Sequence, residues 1–383
     1  ISTGTDKANL YASLSALNDP GWYKQSKVER YTANITAGYK LSKWLNITLR
    51  ANASHRDQKA PGTLNQNVDP VSGTVSRDFD INPFSYSLNT SRTLDPTATY
   101  TRNYAPFNIF DELKNNYINV QTNDIKFQGD LTWKPFKDLE ITLLGSYRTY
   151  KATREHVVLN RSNQAEAYRA GVDNPSVMYS NTFLYTDPDE PNSLPISVMP
   201  TGGINIMNEN SVKQLDFRGT ASYNHIWNDT HIFNFMVGME ANRADYDARM
   251  NSVYGVDYDN ARLQTITPKF YKQAQEEGTQ LNTFSYQWTR RLAYFATTSY
   301  SYKGRYVFNL TGRYDGNNNM GHDRSSRWLP TWNVSASWNA HEEEWFKKWS
   351  DAHHNWFSNA TLRMSYSLTG DQVAASNASP IFS

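Results

Sequence analysis

Few groupings in this chain of 383 residues have the residue types that chemistry needs, and none has the spacing. His341-Glu342-Glu343-Glu344 has acids beside a histidine but lacks the second histidine one helical turn on that a zinc-hydrolase helix requires. His353 and His354 are adjacent, so a regular element points them apart. Asp187-Pro188-Asp189-Glu190 and Asp257-Tyr258-Asp259-Asn260 offer carboxylate oxygens without the spacing or glycine of a calcium loop, and read as polar loops. The chain has no cysteine, which removes disulfides, thiolate metal sites and thiol nucleophiles. A Gly-x-Ser-x-Gly elbow and a phosphate-binding glycine loop are also missing. These observations predict no catalytic residue, no metal, no cofactor and no enzymatic activity.

Binding chemistry is better represented. Tyr, Phe and Trp make up 14% of the residues against 20% charged, and many of the rings fall in long segments rich in Asn, Gln, Asp and Arg. An aromatic face beside planar amides and acids suits a sugar ring, whose C–H face is apolar and whose hydroxyls need partners; it also suits a peptide. Tyr254, Tyr258, Tyr286 and Trp288 are the expected substrate contacts, because they crowd the loop segments before a strand predicted at 289–303. The competing role for the same rings is structural, as small cores that hold long loops together. Net charge is +1, so no basic excess recommends nucleic acid.

The elements that would position these residues show a period of two. Along 305–315, Tyr306, Phe308, Leu310 and Tyr314 share one face while Arg305, Asn309, Thr311, Arg313 and Asp315 share the other. Similar alternation predicts eleven strands, near 7–17, 28–41, 45–54, 123–134, 138–149, 212–227, 231–243, 289–303, 305–316, 328–340 and 359–370. Their connections alternate short and long, as in an up-and-down meander with tight turns at one end and long loops at the other. The segment 341–350, acids first and lysines later, predicts a helix on the short-turn side.

Strands of this length exceed the usual 5 to 6 residues or so and match the roughly 9–11 that a tilted membrane strand needs. Trp133, Trp227, Tyr300, Tyr302, Trp328 and Trp338 lie near strand ends, as an interfacial girdle requires. The fold class is therefore all-β, an antiparallel up-and-down transmembrane barrel in contact with outer-membrane lipid; a soluble β-sandwich is the alternative. Ten Asn-x-Ser/Thr triplets, Asn309-Leu310-Thr311 among them, read as successive lumen-facing strand positions, not as glycosylation acceptors. Eleven is odd, whereas bacterial single-chain barrels are even-numbered and leave no edge in lipid, so residues 1–383 are expected to form part of one larger barrel domain.

At 313–346 the pattern becomes specific. Arg313-Tyr314-Asp315-Gly316-Asn317-Asn318, Arg327-Trp328, Pro330, Ser335-Ala336-Ser337-Trp338 and Glu344-Trp345-Phe346 resemble the barrel signature of SusC/RagA-type TonB-dependent transporters of Bacteroidota. Leu362 to Gln372 resembles the family's next strand, and Tyr11-Ala12-Ser13-Leu14-Ser15 with Gly21 and Arg30-Tyr31 resembles its early strands. Pro330 and Trp338 stand two residues further apart than is commonest in the family, which suggests a bulge. Asp315-Gly316 reads as a hairpin tip with positive φ, and the signature residues Arg313, Tyr314, Asp315, Gly316, Arg327, Trp328 and Trp338 read as structural.

The resemblance implies a 22-stranded barrel with a plug domain, a TonB-contacting segment in the N-terminal region and a SusD-like surface lipoprotein lid. It implies energised uptake of an oligosaccharide, or else a peptide. A passive porin and a secreted carbohydrate-binding β-protein are the alternatives.

Overall fold

A computed structural model describes residues 1–21, 24–62, 86–88, 90–190, 192–260, 263–319, 327–354 and 356–370. Its strands are β1 Ser2–Gly4, β2 Ala8–Asp19, β3 Lys27–Ser42, β4 Leu45–Pro61, β5 Tyr100–Arg102, β6 Ala105–Phe107, β7 Asn116–Phe136, β8 Leu139–Val158, β9 Gly203–Trp227 and β10 His231–Asp257. They continue with β11 Leu263–Gln264, β12 Asn282–Tyr302, β13 Tyr306–Asn317, β14 Trp328–Asn339 and β15 Thr361–Leu368. One antiparallel sheet runs β1-β2-β3-β4-β7-β8-β9-β10-β12-β13-β14-β15, with β11 paired to β10 and β5-β6 a separate hairpin. Each long strand pairs with its neighbours in sequence, so the meander is observed. Among the described residues a sandwich of two packed sheets is not.

Register shows why the sequence alternates. One row across the sheet joins Arg50, Gln128, Ser146, Asp216, Asn242, Arg291 and Asn317, all polar. The adjacent row joins Leu49, Gly129, Gly145, Phe217, Ala241, Leu292, Gly316 and Trp328, none of them charged. Successive side chains of a strand point to opposite faces, so the first row is luminal and the second outward. On β10 the outward side chains are apolar from Phe233 to Ala241 and charged from Arg243 to Arg249. Eight steps of about 3.4 Å give an apolar band of roughly 27 Å along the strand, the height a tilted strand needs to cross lipid.

The eleven predicted long strands are all present, but six run further than predicted. β4 reaches Pro61, β8 reaches Val158 and β10 reaches Asp257, while β7, β9 and β12 begin at Asn116, Gly203 and Asn282. Above the apolar band the alternation changes sense: on β10 Ala244, Tyr246, Ala248 and Met250 face the lumen while Asp245, Asp247 and Arg249 face outward, so the strand runs on past the point where its outward face stops being apolar. The short β1 was also missed. Tight turns at the other end use backbones that match sheet twist: Asn228 and Asp229 have φ of 48° and 52°, and Lys303 and Gly304 have 53° and 68°. The predicted helix is Glu344–Ala352, after a 3-10 turn at Ala340–Glu342.

Two local expectations are corrected. Gly316 is not a positive-φ tip; it is a strand residue opposite Leu292 and Trp328. A Cβ there would meet the Trp328 ring at 2.8 Å, so glycine lets the indole lie flat on the neighbouring strand. β14 pairs with β13 from Trp328 to Trp338 without a register shift, so the longer Pro330–Trp338 spacing makes no bulge.

Candidate functional site

The luminal face carries a line of charges fixed by their strands. Arg50 meets Asp130 at 2.6 Å, and Arg148 holds Asp124 with two bonds of 2.8 and 2.7 Å. Asp216 accepts from Ser146 at 3.0 Å and from Asn242 at 2.5 Å. Glu240 lies 3.4 Å from Arg218 and 2.9 Å from Arg313, which also grips Asp315. Phe295 lies between the two guanidiniums, 5.4 and 5.7 Å from its ring centre. Asp216, Arg218, Glu240, Asn242, Arg313 and Asp315 line a recess of about 380 Å³. Paired guanidiniums and carboxylates can exchange hydrogen bonds with hydroxyl, amide or ionic groups passing over them.

At the long-loop end, the described residues of 159–202 and 263–281 pack on the luminal side of the strand ends, at Val158, Ile204 and Tyr254. Ser162 caps the helix Asn163–Ala167 by accepting from Ala165 N–H, and the chain then returns to β9. Val158, Ala165, Tyr168, Phe183, Val198, Met199, Ile204 and Phe270 form a buried apolar core, with Tyr254 and Tyr104 against it. Tyr254 lies 4.8 Å from Phe270 and 5.9 Å from Tyr168 between ring centres.

Polar pins hold this cap to the sheet. Buried Glu112, in the helix Ile109–Asn115, accepts from Asn163 N–H at 2.7 Å and from the Asn116 amide at 3.1 Å. Burial pushes the Glu112 carboxyl above its usual range, opposed by those donors. The Asn163 amide donates to the carbonyls of Arg102, Ala105 and Pro106. Buried His156 shares a 2.6 Å bond with Asn116. On the outer edge of the cap, Asp187, Asp189 and Glu276 converge, with the Lys272 ammonium bonded to Asp187 and Asp189. Lys272 holds Asp187 below the usual carboxylate range, and Asp187 with Asp189 raises Lys272. Tyr185, desolvated and donating to Glu276 at 2.8 Å, is pushed up to about 12.

The four expected substrate contacts form two separate pairs. Tyr254 lies within β10 and Tyr258 just past its end, not in an independent loop. The Tyr258 hydroxyl donates to the Ile204 carbonyl at 3.0 Å and accepts from the Asn205 amide at 3.2 Å. Tyr286 and Trp288 belong to β12, with ring centres 5.8 Å apart, and lie on the face of Tyr294, turned outward. Tyr286 pairs with Asp247, seven positions down β10 from Tyr254.

The signature residues divide by face. Arg313 and Asp315 bond across the lumen side, while Tyr314 and Trp328 stack outward with centres 4.7 Å apart. Arg327 precedes this stack at the start of β14. At the opposite end Trp338 donates to Glu343 at 3.3 Å, where Arg305 and the Tyr306 hydroxyl also converge. The positions at 371 and 372 lie outside the described residues. Sequence reasoning missed Glu112, Asn116, His156 and Asn163, which stand in no motif and come together only through the loops.

No protein-family model matches the chain. It is 21% identical to TonB-dependent receptor P26 of Formosa agariphila and 23% identical to TonB-dependent receptor P39 of the same organism, with 97% of this chain matched in each case. The match spans 32% and 30% of those relatives, so the chain has about a third of their length. Among solved structures it superposes on that of the RagAB peptide transporter with a TM-score of 0.63 and 15% identity, over 98% of this chain and 36% of the other. The chain is similar to TonB-dependent receptors in sequence and to the RagAB barrel in fold. Its meander, outward apolar band and polar lumen are those of an outer-membrane barrel, and Arg313, Tyr314, Asp315 and Trp328 stand in its wall on both faces.

Proposed function

We propose that the chain is part of a TonB-dependent importer that takes up an oligosaccharide, or else a peptide, under a SusD-like lipoprotein lid. One observation supports this above all: a transmembrane meander matched along nearly its whole length to TonB-dependent receptors, with its long loops packed on an apolar core at the luminal mouth of the strands. An open sheet edge is costly in lipid, so β1 and β15 call for neighbours, and we infer that further strands complete one barrel domain around a plug. The proposed role is transport, not catalysis. A passive porin would share the strands but would need neither a plug nor TonB.

The luminal side of the mouth is the proposed place of substrate contact. Tyr254 and Tyr258 stand there, while Tyr286 and Trp288 face outward and enter the substrate proposal as the second pair to be tested. Growth on candidate oligosaccharides and peptides is to be measured for the full-length protein, with and without TonB, and for alanine variants at the four positions. TonB-dependent uptake that is lost with normal assembly in Tyr254→Ala or Tyr258→Ala supports the proposal. Uptake that persists without TonB favours the porin, and uptake unchanged in all four variants removes these residues from the substrate path.

A further inference from the structure

The outward face holds a feature that transport does not require. A depression of about 720 Å³ lies within the apolar band, floored by Gly129 and Gly145 and walled by Phe127, Tyr147, Leu215 and Phe217. The two glycines are paired residues of β7 and β8 in mid-strand, where glycine weakens a sheet and often marks the close approach of another molecule. Among the described residues nothing fills the space. A Cβ on Gly145 would meet no atom within 4 Å, and one on Gly129 would touch only the Leu49 side chain at 3.6 Å. Gly316 differs, since the Trp328 ring covers it.

The rim above the depression is charged. Lys213, the next outward residue of β9 after Leu215, is exposed and makes no salt bridge within 4 Å among the described residues, though its charge acts on Asp247, which Arg249 holds at 2.7 Å. It pairs in register with Asp245, which Arg243 and Arg290 hold at 3.0 and 2.5 Å, and Asp245 pairs in turn with Trp288. The outward surface of β9, β10 and β12 beside the depression thus carries the Lys213 ammonium, the guanidiniums of Arg243, Arg249 and Arg290, the carboxylates of Asp245 and Asp247, and an exposed pair of aromatic rings. A headgroup of phosphate alone would leave the exposed Tyr286 and Trp288 rings without a partner. A phosphorylated sugar headgroup fits better: its phosphate can pair with Lys213, its hydroxyls can donate to Asp245 and its ring can stack on Trp288.

We propose that this face binds a phosphorylated glycolipid of the outer leaflet, with an acyl chain in the Gly129–Gly145 depression and the headgroup at Lys213, Asp245 and Trp288. The site is separate from the luminal path, so it stands whatever the imported solute is.

The test uses the full-length protein in nanodiscs, read by native mass spectrometry. The probes are a synthetic phosphorylated, acylated glucosamine disaccharide and phosphatidylglycerol of the same chain length. One retained glycolipid per barrel is expected, in preference to phosphatidylglycerol. Lys213→Glu, on an exposed side chain, should lower glycolipid retention about tenfold, since each basic residue near a lipid headgroup contributes on the order of a fivefold factor. Gly145→Leu should fill the depression and do the same, with heat-modifiable gel migration unchanged in both variants. Equal retention of both lipids, retention unaffected by either variant, or a second barrel copy seated on this face in place of lipid would each overturn the proposal.

Discussion

Glu112 shows how one buried acid can tie a loop cap to a barrel. Its carboxylate accepts from Asn163 N–H at the start of a helix and from Asn116 on β7, yet burial raises its affinity for a proton above that of an exposed glutamate, whose usual value is 4.5. The folded state therefore keeps the proton to higher pH than the unfolded chain does. The resulting stability is fully present below about pH 4.5 and is lost as pH rises through the elevated folded value. Limited proteolysis of segment 159–202 should accordingly speed up from pH 4.5 to 7, and Glu112→Gln should flatten that dependence. A pH profile identical in the variant would show that another group governs it. Gly316 makes a second prediction at this scale. Gly316→Val places a side chain against the Trp328 ring and should destabilise the barrel by about 1–3 kcal/mol, the usual range for overpacking. Urea unfolding followed by tryptophan fluorescence checks it, and an unchanged midpoint would mean that the indole moves aside freely.

At the level of the strand, β10 shows how one element serves two solvents. Its outward positions Phe233, Phe235, Val237, Met239 and Ala241 meet lipid, while Asn234, Glu240 and Asn242 meet the lumen. Above Ala241 the outward positions turn charged, and Arg243 and Arg249 pair with Asp245 and Asp247 two residues away on the same face. A strand can pair along its whole length while its surroundings change part-way. The face assignment makes a sharp contrast: Val237→Arg puts a charge near the middle of the apolar band and should cost about 2–4 kcal/mol, whereas Asn234→Arg on the luminal face should cost far less. Folding into lipid vesicles in a urea series measures both. Equal losses would refute the assignment of faces.

For the whole molecule, the division into a tight-turn end and a loop end predicts its orientation in the membrane. Long loops face outside in outer-membrane barrels, so the cap should be extracellular and the Asn228-Asp229 turn periplasmic. Because the chain has no cysteine, introduced ones report cleanly. Tyr179→Cys, at an exposed site on the cap, should react with a membrane-impermeant maleimide on intact cells, and Asn228→Cys should react only after the outer membrane is permeabilised. The reverse pattern would invert the topology.

The sequence by itself determined the eleven long strands, their antiparallel order and the two faces. The reason is that lipid on one side and water on the other force an alternation that any strand crossing the band must show, as along Tyr306, Phe308 and Leu310 against Asn309 and Thr311. It also placed Arg313 and Asp315 on one face, since residues two apart in a strand cannot be elsewhere. Only the tertiary structure decided what happens above the band. The outward face of β10 turns charged there while Ala244, Tyr246, Ala248 and Met250 put apolar side chains on the luminal side, so the lipid-facing pattern ends before the strand does, and Tyr254, Tyr286 and Trp288 read as loop residues when they are strand residues on opposite faces. The meeting of Glu112 with Asn163, and of Tyr168 with Tyr254, joins residues far apart in the chain. Nothing local encodes such pairs; they exist because loops anchored at neighbouring strand ends have one apolar surface in common to bury.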